Sequence, residues 1–466
     1  MTEAAHHDPV NEYEREPVPE KALLGLKNYV GQFAGEHVAG TELMIGPLFL
    51  ASGVSAFDFI FGLLVGNLLA VLSWTFFTAP IATRVRLTLY YQLEQICGRR
   101  LVTLYNFANG VMFTVLAGAM MTVSATALGV YFNFAMPQLT DTLPTGAGWV
   151  VAVLATGALF SVVAAYGYRF VSRFANIAAP WMVLVFVAFG IIGLRQMGLK
   201  SVGDFWHVAS TVIWTGGSPQ PGQVKFTFWH VMFFAWFCNM AWHIGMADLS
   251  VLRYARKPSY GLASAAGMYI GHFMAWIAAS ILYAVQLHQD PSNTAVLPGP
   301  LAYRACGVAG LLAVVTAGWT TANPTLYRAG LAFQSLIPGS SRFKVTLITG
   351  LVASVTAVFP IVTMRLLGFV ALWGMILMPM GAVIFMDFWV LPRLGLRSNF
   401  AAAVGSQFNW AAGLAWLLTI GICTGLVLTG RAQIFFVSLP GWFVTSLLYV
   451  LLSKWLQSRA ARPVAA

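Results

Sequence analysis

GQFAGEHVAGTELMIGPLFLASG, Gly31 to Gly53, lies within a hydrophobic run long enough to cross a membrane, yet it carries Glu36, His37 and Glu42. Ionisable groups at membrane depth are costly and are usually kept because they handle a solute, an ion or a proton. The glycines at 31, 35, 40 and 46 loosen the helix around them, so that backbone carbonyls and amides can face a cavity instead of each other. The stretch therefore predicts a broken first transmembrane helix that forms half of a solute site.

The rest of the chain agrees with a membrane setting. Of its 466 residues 59% are hydrophobic and 9% charged, and the mean hydropathy is +0.75. Soluble domains are about a quarter charged. An all-α polytopic membrane protein is expected, as one integral unit. The polar start, residues 1–24, has no basic, small-residue signal pattern and reads as a cytoplasmic tail. Four scattered cysteines fit no disulfide or zinc spacing.

Sliding a window of roughly twenty apolar residues along the chain gives about twelve spans. They fall near 28–52, 56–81, 101–131, 146–166, 171–195, 227–250, 260–287, 305–331, 344–363, 366–391, 407–429 and 433–456. With connections assigned alternately to the two sides, the tail and even-numbered loops hold 20 of the 26 Lys and Arg, Arg328 among them. That positive-inside bias puts both termini in the cytoplasm and places the protein in the cell (inner or plasma) membrane. The net charge of +11 follows from this topology, and nucleic acid is not expected as a partner. The amphipathic run Arg84–Arg100 is expected along the cytoplasmic interface.

Span 6, FWHVMFFAWFCNMAWHIGMADL from Phe228 to Leu249, is interrupted by Asn239, His243 and Gly245. Sliding spans 1–5 onto spans 6–10 brings Glu36 near Asn239. Paired interruptions at matching positions point to an inverted-repeat transporter with its site at the midplane. The expected architecture is a 5+5 inverted repeat with broken helices 1 and 6, plus two peripheral helices. In residues, 25–196 is the first repeat, 197–226 an outer loop, 227–392 the second repeat and 393–466 the peripheral helices with the C-terminus.

Three constellations carry chemistry. In span 8, Ala317, Thr320 and Thr321 share one helical face, offering a carbonyl and two hydroxyls to a monovalent cation. Back-bonding of the threonines to their own helix is the ordinary reading of the same residues. Gly35 and Val38, where helix 1 should unwind, could complete the shell. Glu36, His37, Thr41 and Glu42 are candidates for solute contact or proton handling. Asn239 and His243 share a face of span 6, and Trp236 and Trp242 beside them could offer flat surfaces to a ring. His272 reads as a satisfied buried histidine. Asp248 and Asp387, beside Arg253, Arg256 and Arg393, read as ion-pair or gating residues.

Three motifs carry a resemblance. Gly46–Gly53 is followed after twelve residues by Gly66-Asn67-Leu68-Leu69; Ala317-Gly318-Trp319-Thr320-Thr321 lies in span 8; Pro379–Asp387 is followed by Arg393. Together these resemble the nucleobase:cation symporter family, which includes purine–cytosine permeases and the hydantoin permease. The resemblance implies the leucine-transporter-like fold, sodium or proton coupling, and uptake of a small planar heterocycle. It also implies solute-facing positions at Leu116 and Met120 of helix 3, where the family often has aromatics. Asn239 falls near the family's helix 6 tryptophan and His37 at its helix 1 asparagine. These departures suggest a solute with N–H groups or positive charge, or a proton-coupled cycle.

The expected function is cation-coupled symport, sodium first and proton second, of a small nitrogen-containing solute by a monomer or weak oligomer. No tightly bound cofactor and no enzymatic activity are expected. A proton-coupled carrier of an amine or amino-acid-like solute using Glu36 and His37 is the nearest alternative. An intramembrane metalloenzyme built on His37, Glu42 and His243 lacks a spaced ligand motif, and a channel would not need paired broken helices.

Overall fold

The computed structural model describes residues 12–138, 141–337, 339–361 and 366–460. The tail up to Asn11, the junction of spans 9 and 10 with Arg365, and Arg462 lie outside the described residues. The long helices, in chain order, are α1 (Leu26–His37), α2 (Glu42–Ala51), α3 (Ala56–Val85), α4 (Leu89–Cys97), α5 (Arg99–Phe132), α6 (Ala147–Ala165) and α7 (Tyr168–Gln196). There follow α8 (Phe228–Phe237), α9 (Leu249–Leu252), α10 (Pro258–Gln289), α11 (Pro298–Leu336) and α12 (Arg342–Ala357). The last three are α13 (Leu366–Phe385), α14 (Trp410–Leu428) and α15 (Ser438–Ala460). The described residues contain 9 helices long and apolar enough to cross a membrane. The broken pairs α1–α2 and α8–α9 and the shorter α12 bring the spans to the expected twelve. This is a polytopic, multi-pass membrane protein.

Both expected breaks are present. α1 stops at His37, Val38 leaves the helical region at φ −86°, ψ 61°, and α2 restarts at Glu42. Between Phe237 and Leu249 span 6 runs through consecutive turns, with Met246 left-handed at φ 64°. Each break is faced by a helix that itself widens into π turns, a form that often marks functional positions. Ala266–Phe273 of α10 lies against the break in span 1, where Gly267 and Gly271 accommodate the His37 ring and backbone. Trp74–Thr78 of α3 lies against the break in span 6, where the Thr78 hydroxyl donates to the His243 carbonyl. Spans 1 and 7 thus relate to each other as spans 6 and 2 do, which is the signature of the inverted repeat.

The other halves of the repeat pack through small residues, as helices in lipid must to approach closely. Gly157 of α6 backs onto Ser354 of α12, and Gly350 of α12 backs onto Ser161 of α6. Each serine hydroxyl returns its hydrogen to the glycine four residues earlier, at 2.6 Å for Ser161 and 2.7 Å for Ser354. α5 and α11 lie along each other, with Gly318 against the Met120 carbonyl and Ser124 hydroxyl. α11 is kinked at Cys306–Gly307, where Gly307 takes φ 56°, and no sequence signal pointed there. α4 is the expected amphipathic helix, burying Leu89, Tyr90, Leu93 and Ile96. α14 and α15 pack on each other and on α13.

Candidate functional site

A cavity opens where the two breaks meet α5, α10 and α11. Glu36, His37, Thr41 and Glu42 line it from span 1, Leu116 and Met120 from α5, Asn239 and Trp242 from span 6, and Thr321 from α11. Nine of the residues singled out in the sequence therefore share one wall. The apolar remainder of the wall includes Ile45 and Val370. Trp242 packs against Trp373 at 5.0 Å and Phe113 at 5.8 Å between ring centroids. Its indole N–H is buried and meets no acceptor among the described residues. Trp236 and His243 lie outside this wall. Trp236 donates its N–H to Ser73 at 3.0 Å, and His243 sets Nε2 3.1 Å from the Trp236 carbonyl with its ring edge-on to Trp74.

Of the oxygen cluster expected at the helix 1–helix 8 contact, Ala317, Thr320 and Thr321 stand together. The Thr320 and Thr321 hydroxyls stand 3.1 and 3.0 Å from the Ala317 carbonyl, so the back-bonding geometry is present. Thr321 is shared, however: its hydroxyl is 2.9 Å from the Glu36 carbonyl across the helix boundary. Gly35 faces Thr320 and Ala175, and Val38 is fully buried at the unwound turn. The donor set is hard, neutral oxygen, which suits a weakly held monovalent cation and not a soft transition metal. Among the described residues no group of three or more His, Cys, Asp or Glu stands close enough to hold a metal ion.

Several functional side chains were missed or mispaired in the sequence. Arg328, counted among the loop charges, sits inside α11 with its side chain fully buried. It reaches Glu36 Oε1 at 2.6 Å and Asp248 Oδ1 at 2.5 Å. Gln32 adds a hydrogen bond to Glu36 at 3.1 Å, and the Trp74 indole one to Asp248 at 2.7 Å. Asp248 is thus an ion-pair residue, but its partner is Arg328 and not Arg253 or Arg256. Among the described residues Asp387 is paired with no arginine; the Tyr449 hydroxyl and the Asn399 backbone amide hold it at 2.8 and 2.9 Å. The spacing Thr321–Thr325–Arg328 is i, i+4, i+7, and would have placed the arginine on the threonine face.

His272, read as merely satisfied, lines the cavity. Its Nε2 is 3.5 Å from Glu42 Oε1, its ring lies on Trp276 at 4.4 Å, and the Asn239 amide is 3.4 Å from both ring nitrogens. Trp276 donates its N–H to Glu42. His37 contacts His272 edge-on at 4.9 Å, and its Nδ1, when protonated, donates to the Phe33 carbonyl at 2.8 Å.

Searches with the sequence match no family model and no curated protein. Solved structures do match. Mhp1, a nucleobase-cation-symport-1 family transporter, in a closed conformation with bromovinylhydantoin bound, aligns over 97% of this chain and 96% of its own, with TM-score 0.70 at 16% identity. The fold is leucine-transporter-like. Mhp1 in its inward-facing conformation also gives TM-score 0.70, at 12% identity over 95% of this chain and 93% of its own. A substrate-bound, outward-open Na⁺-coupled sialic acid symporter gives 0.65 at 16% identity over 95% and 92%. These alignments run the length of the chain, both repeats and the peripheral helices included.

Proposed function

We propose that the protein is a cation-coupled secondary transporter of the nucleobase:cation symporter type, importing a small nitrogen-containing solute by alternating access. The observation that carries this is the Thr321 hydroxyl, which joins the unwound turn of helix 1 to Ala317 in α11 at the edge of the cavity. A sodium ion among Gly35, Val38, Ala317, Thr320 and Thr321 would replace those hydrogen bonds with ion–oxygen contacts and hold α1 against α11 while solute is captured. Its release would loosen that contact and let the broken helices move. Bromovinylhydantoin and sialic acid are the ligands of the fold neighbours, and a planar, N–H-bearing heterocycle suits this cavity. Trp242 offers a free N–H to an acceptor, and Glu42 and Asn239 accept from N–H groups.

The direct experiment is uptake into proteoliposomes of labelled nucleobases and hydantoins, screened first by thermal stabilisation of the purified protein. Uptake should saturate and fall when sodium is replaced by choline at fixed pH. Thr321→Ala should remove that sodium dependence; unchanged dependence would refute the cation assignment. A proton-driven carrier is the second reading. It is favoured by Glu42 and His272 facing each other in the cavity, and uptake indifferent to sodium but driven by an inward pH gradient would select it.

A further inference from the structure

Helices α1, α9 and α11 meet at one buried charge group. The side chains of Arg328 and Asp248 are fully buried and that of Glu36 is 5% exposed. Two carboxylates face one guanidinium; the remaining partners, Gln32 and Trp74, are neutral donors. Arg253 follows Asp248 by five residues in the chain. Its contacts are the Ser250, Tyr13 and Glu12 carbonyls and the Tyr254 and Tyr327 hydroxyls, with neither Glu36 nor Asp248 among them. Formally the group carries one more negative than positive charge, in a setting that screens charge poorly.

This excess is next to the oxygen cluster. Glu36 belongs to both: its carbonyl accepts from Thr321 and its carboxylate binds Arg328. Thr321 and Arg328 are two turns apart on α11, about 10 Å along the axis. A cation among the Ala317, Thr320 and Thr321 oxygens would therefore lie about 10 Å along the helix from Arg328. We propose that the Glu36–Arg328–Asp248 triad sets the affinity of the cation site, its unpaired negative charge being what the coupling ion neutralises. Asp248 then acts on the ion from a distance, touching neither ion nor solute. The proposal rests on the cation reading above. One unit charge at about 10 Å, at an effective dielectric constant near 20, corresponds to roughly a fifteenfold change in affinity.

The test needs no solute. The full-length protein is purified in detergent and its unfolding temperature followed against sodium chloride, with choline chloride holding ionic strength and pH constant. Wild type should be stabilised by sodium with a saturating profile, and Thr321→Ala should lose the effect. Asp248→Asn keeps the shape and the acceptor for Trp74; it should raise the half-saturating sodium concentration at least tenfold. Glu36→Gln should do the same and serves if Asp248→Asn does not fold. Arg328→Lys, which keeps the charge, should stay within about threefold of wild type. If Asp248→Asn or Glu36→Gln lowers the baseline stability but leaves the sodium midpoint in place, the triad is structural and the proposal is overturned. If wild type shows no sodium response, the cation reading itself fails and the proposal falls with it, so the two failures are told apart.

Discussion

Arg328→Met is the substitution whose cost can be worked furthest from the geometry. Methionine matches the length of the stem and removes only the guanidinium. What is lost is the guanidinium's position 5.9 Å over the Phe113 and Trp242 rings and three polar contacts: 2.6 and 3.3 Å to the two oxygens of Glu36 and 2.5 Å to Asp248. Two buried carboxylates are then left facing each other with only Gln32 and Trp74 as donors. Removing one partner of a buried ion pair costs about 3–5 kcal/mol, because the charge left behind is uncompensated. With an unfolding entropy near 2.1 cal/mol/K per residue, a chain of this length changes its midpoint by about 1 °C per kcal/mol. The variant should therefore melt about 3–5 °C below wild type, in detergent and without added solute. The decisive comparison is the triple variant Arg328→Met with Glu36→Gln and Asp248→Asn. It has no buried charge to strand, and should recover most of the loss. A single variant melting with wild type, or a triple variant no better than the single, would show that the carboxylates do not depend on Arg328.

Two further predictions concern packing and the segment leading into α1. Gly318→Val would set a Cβ 2.0 Å from the Ser124 hydroxyl and 2.8 Å from the Met120 carbonyl, and the carbonyl cannot rotate away. It should destabilise by about 1–3 kcal/mol or more, whereas Gly425→Ala, with nothing within 4 Å of the new methyl, should be neutral or stabilising by up to about 1 kcal/mol; equal melting temperatures for the two would refute the close α5–α11 contact. Glu12, outside the membrane spans, accepts from the Tyr168 amide at 2.8 Å and faces Arg342 at 3.5 Å. Burial pushes its carboxyl above the usual range, against the opposing pull of Arg342 and Arg253. A raised pKa means that its contribution to stability is fully present below the unfolded value and is lost as pH rises through the folded one. A pH series of melting temperatures should show that loss in wild type and a flatter profile in Glu12→Gln; identical profiles would remove Glu12 as the cause.

The architecture was legible because lipid imposes few solutions. A span must satisfy its own backbone, so an apolar run reads as a helix, and a polar interruption in one reads as a break that faces a cavity. Glu36-His37 and Asn239 are such interruptions, and both breaks lie where those residues put them. The solute-side wall followed, since Thr41, Glu42 and Trp242 are carried by the same two segments. Partnership was less legible, because it depends on which helices touch. Arg328 lies three residues before the expected span end at about 331 and was counted with the loop charges there, but the helix continues to Leu336 and holds it inside. Once inside, it displaced Arg253 as the partner of Asp248, and Arg253 turned to the Glu12 and Tyr13 carbonyls. His272 was missed for a related reason: a single histidine in an apolar helix gains meaning only beside Glu42 and Asn239, and those come from two other spans.

These corrections alter how the division of labour in span 1 is understood. From sequence, Glu36 and His37 looked like one unit facing the solute or relaying protons. In the fold their side chains turn to different neighbours: His37 toward His272 and the π turns of α10, Glu36 toward Arg328. A carboxylate held at 2.6 and 3.3 Å by one guanidinium has little freedom to travel with a proton or a solute, whereas Glu42, whose contacts are an indole N–H and an imidazole, has no fixed cation against it. The break thus holds a tied acid on its α1 side and an untied one at the start of α2. Both acids line the cavity, but because Glu36 also lends its carbonyl to Thr321, only the tied acid is connected to the oxygen cluster as well. On the proposed function, an ion at the oxygen cluster and a solute in the cavity would act on the same four-residue turn through different contacts, and each could bias the position of α1 relative to α2 through its own.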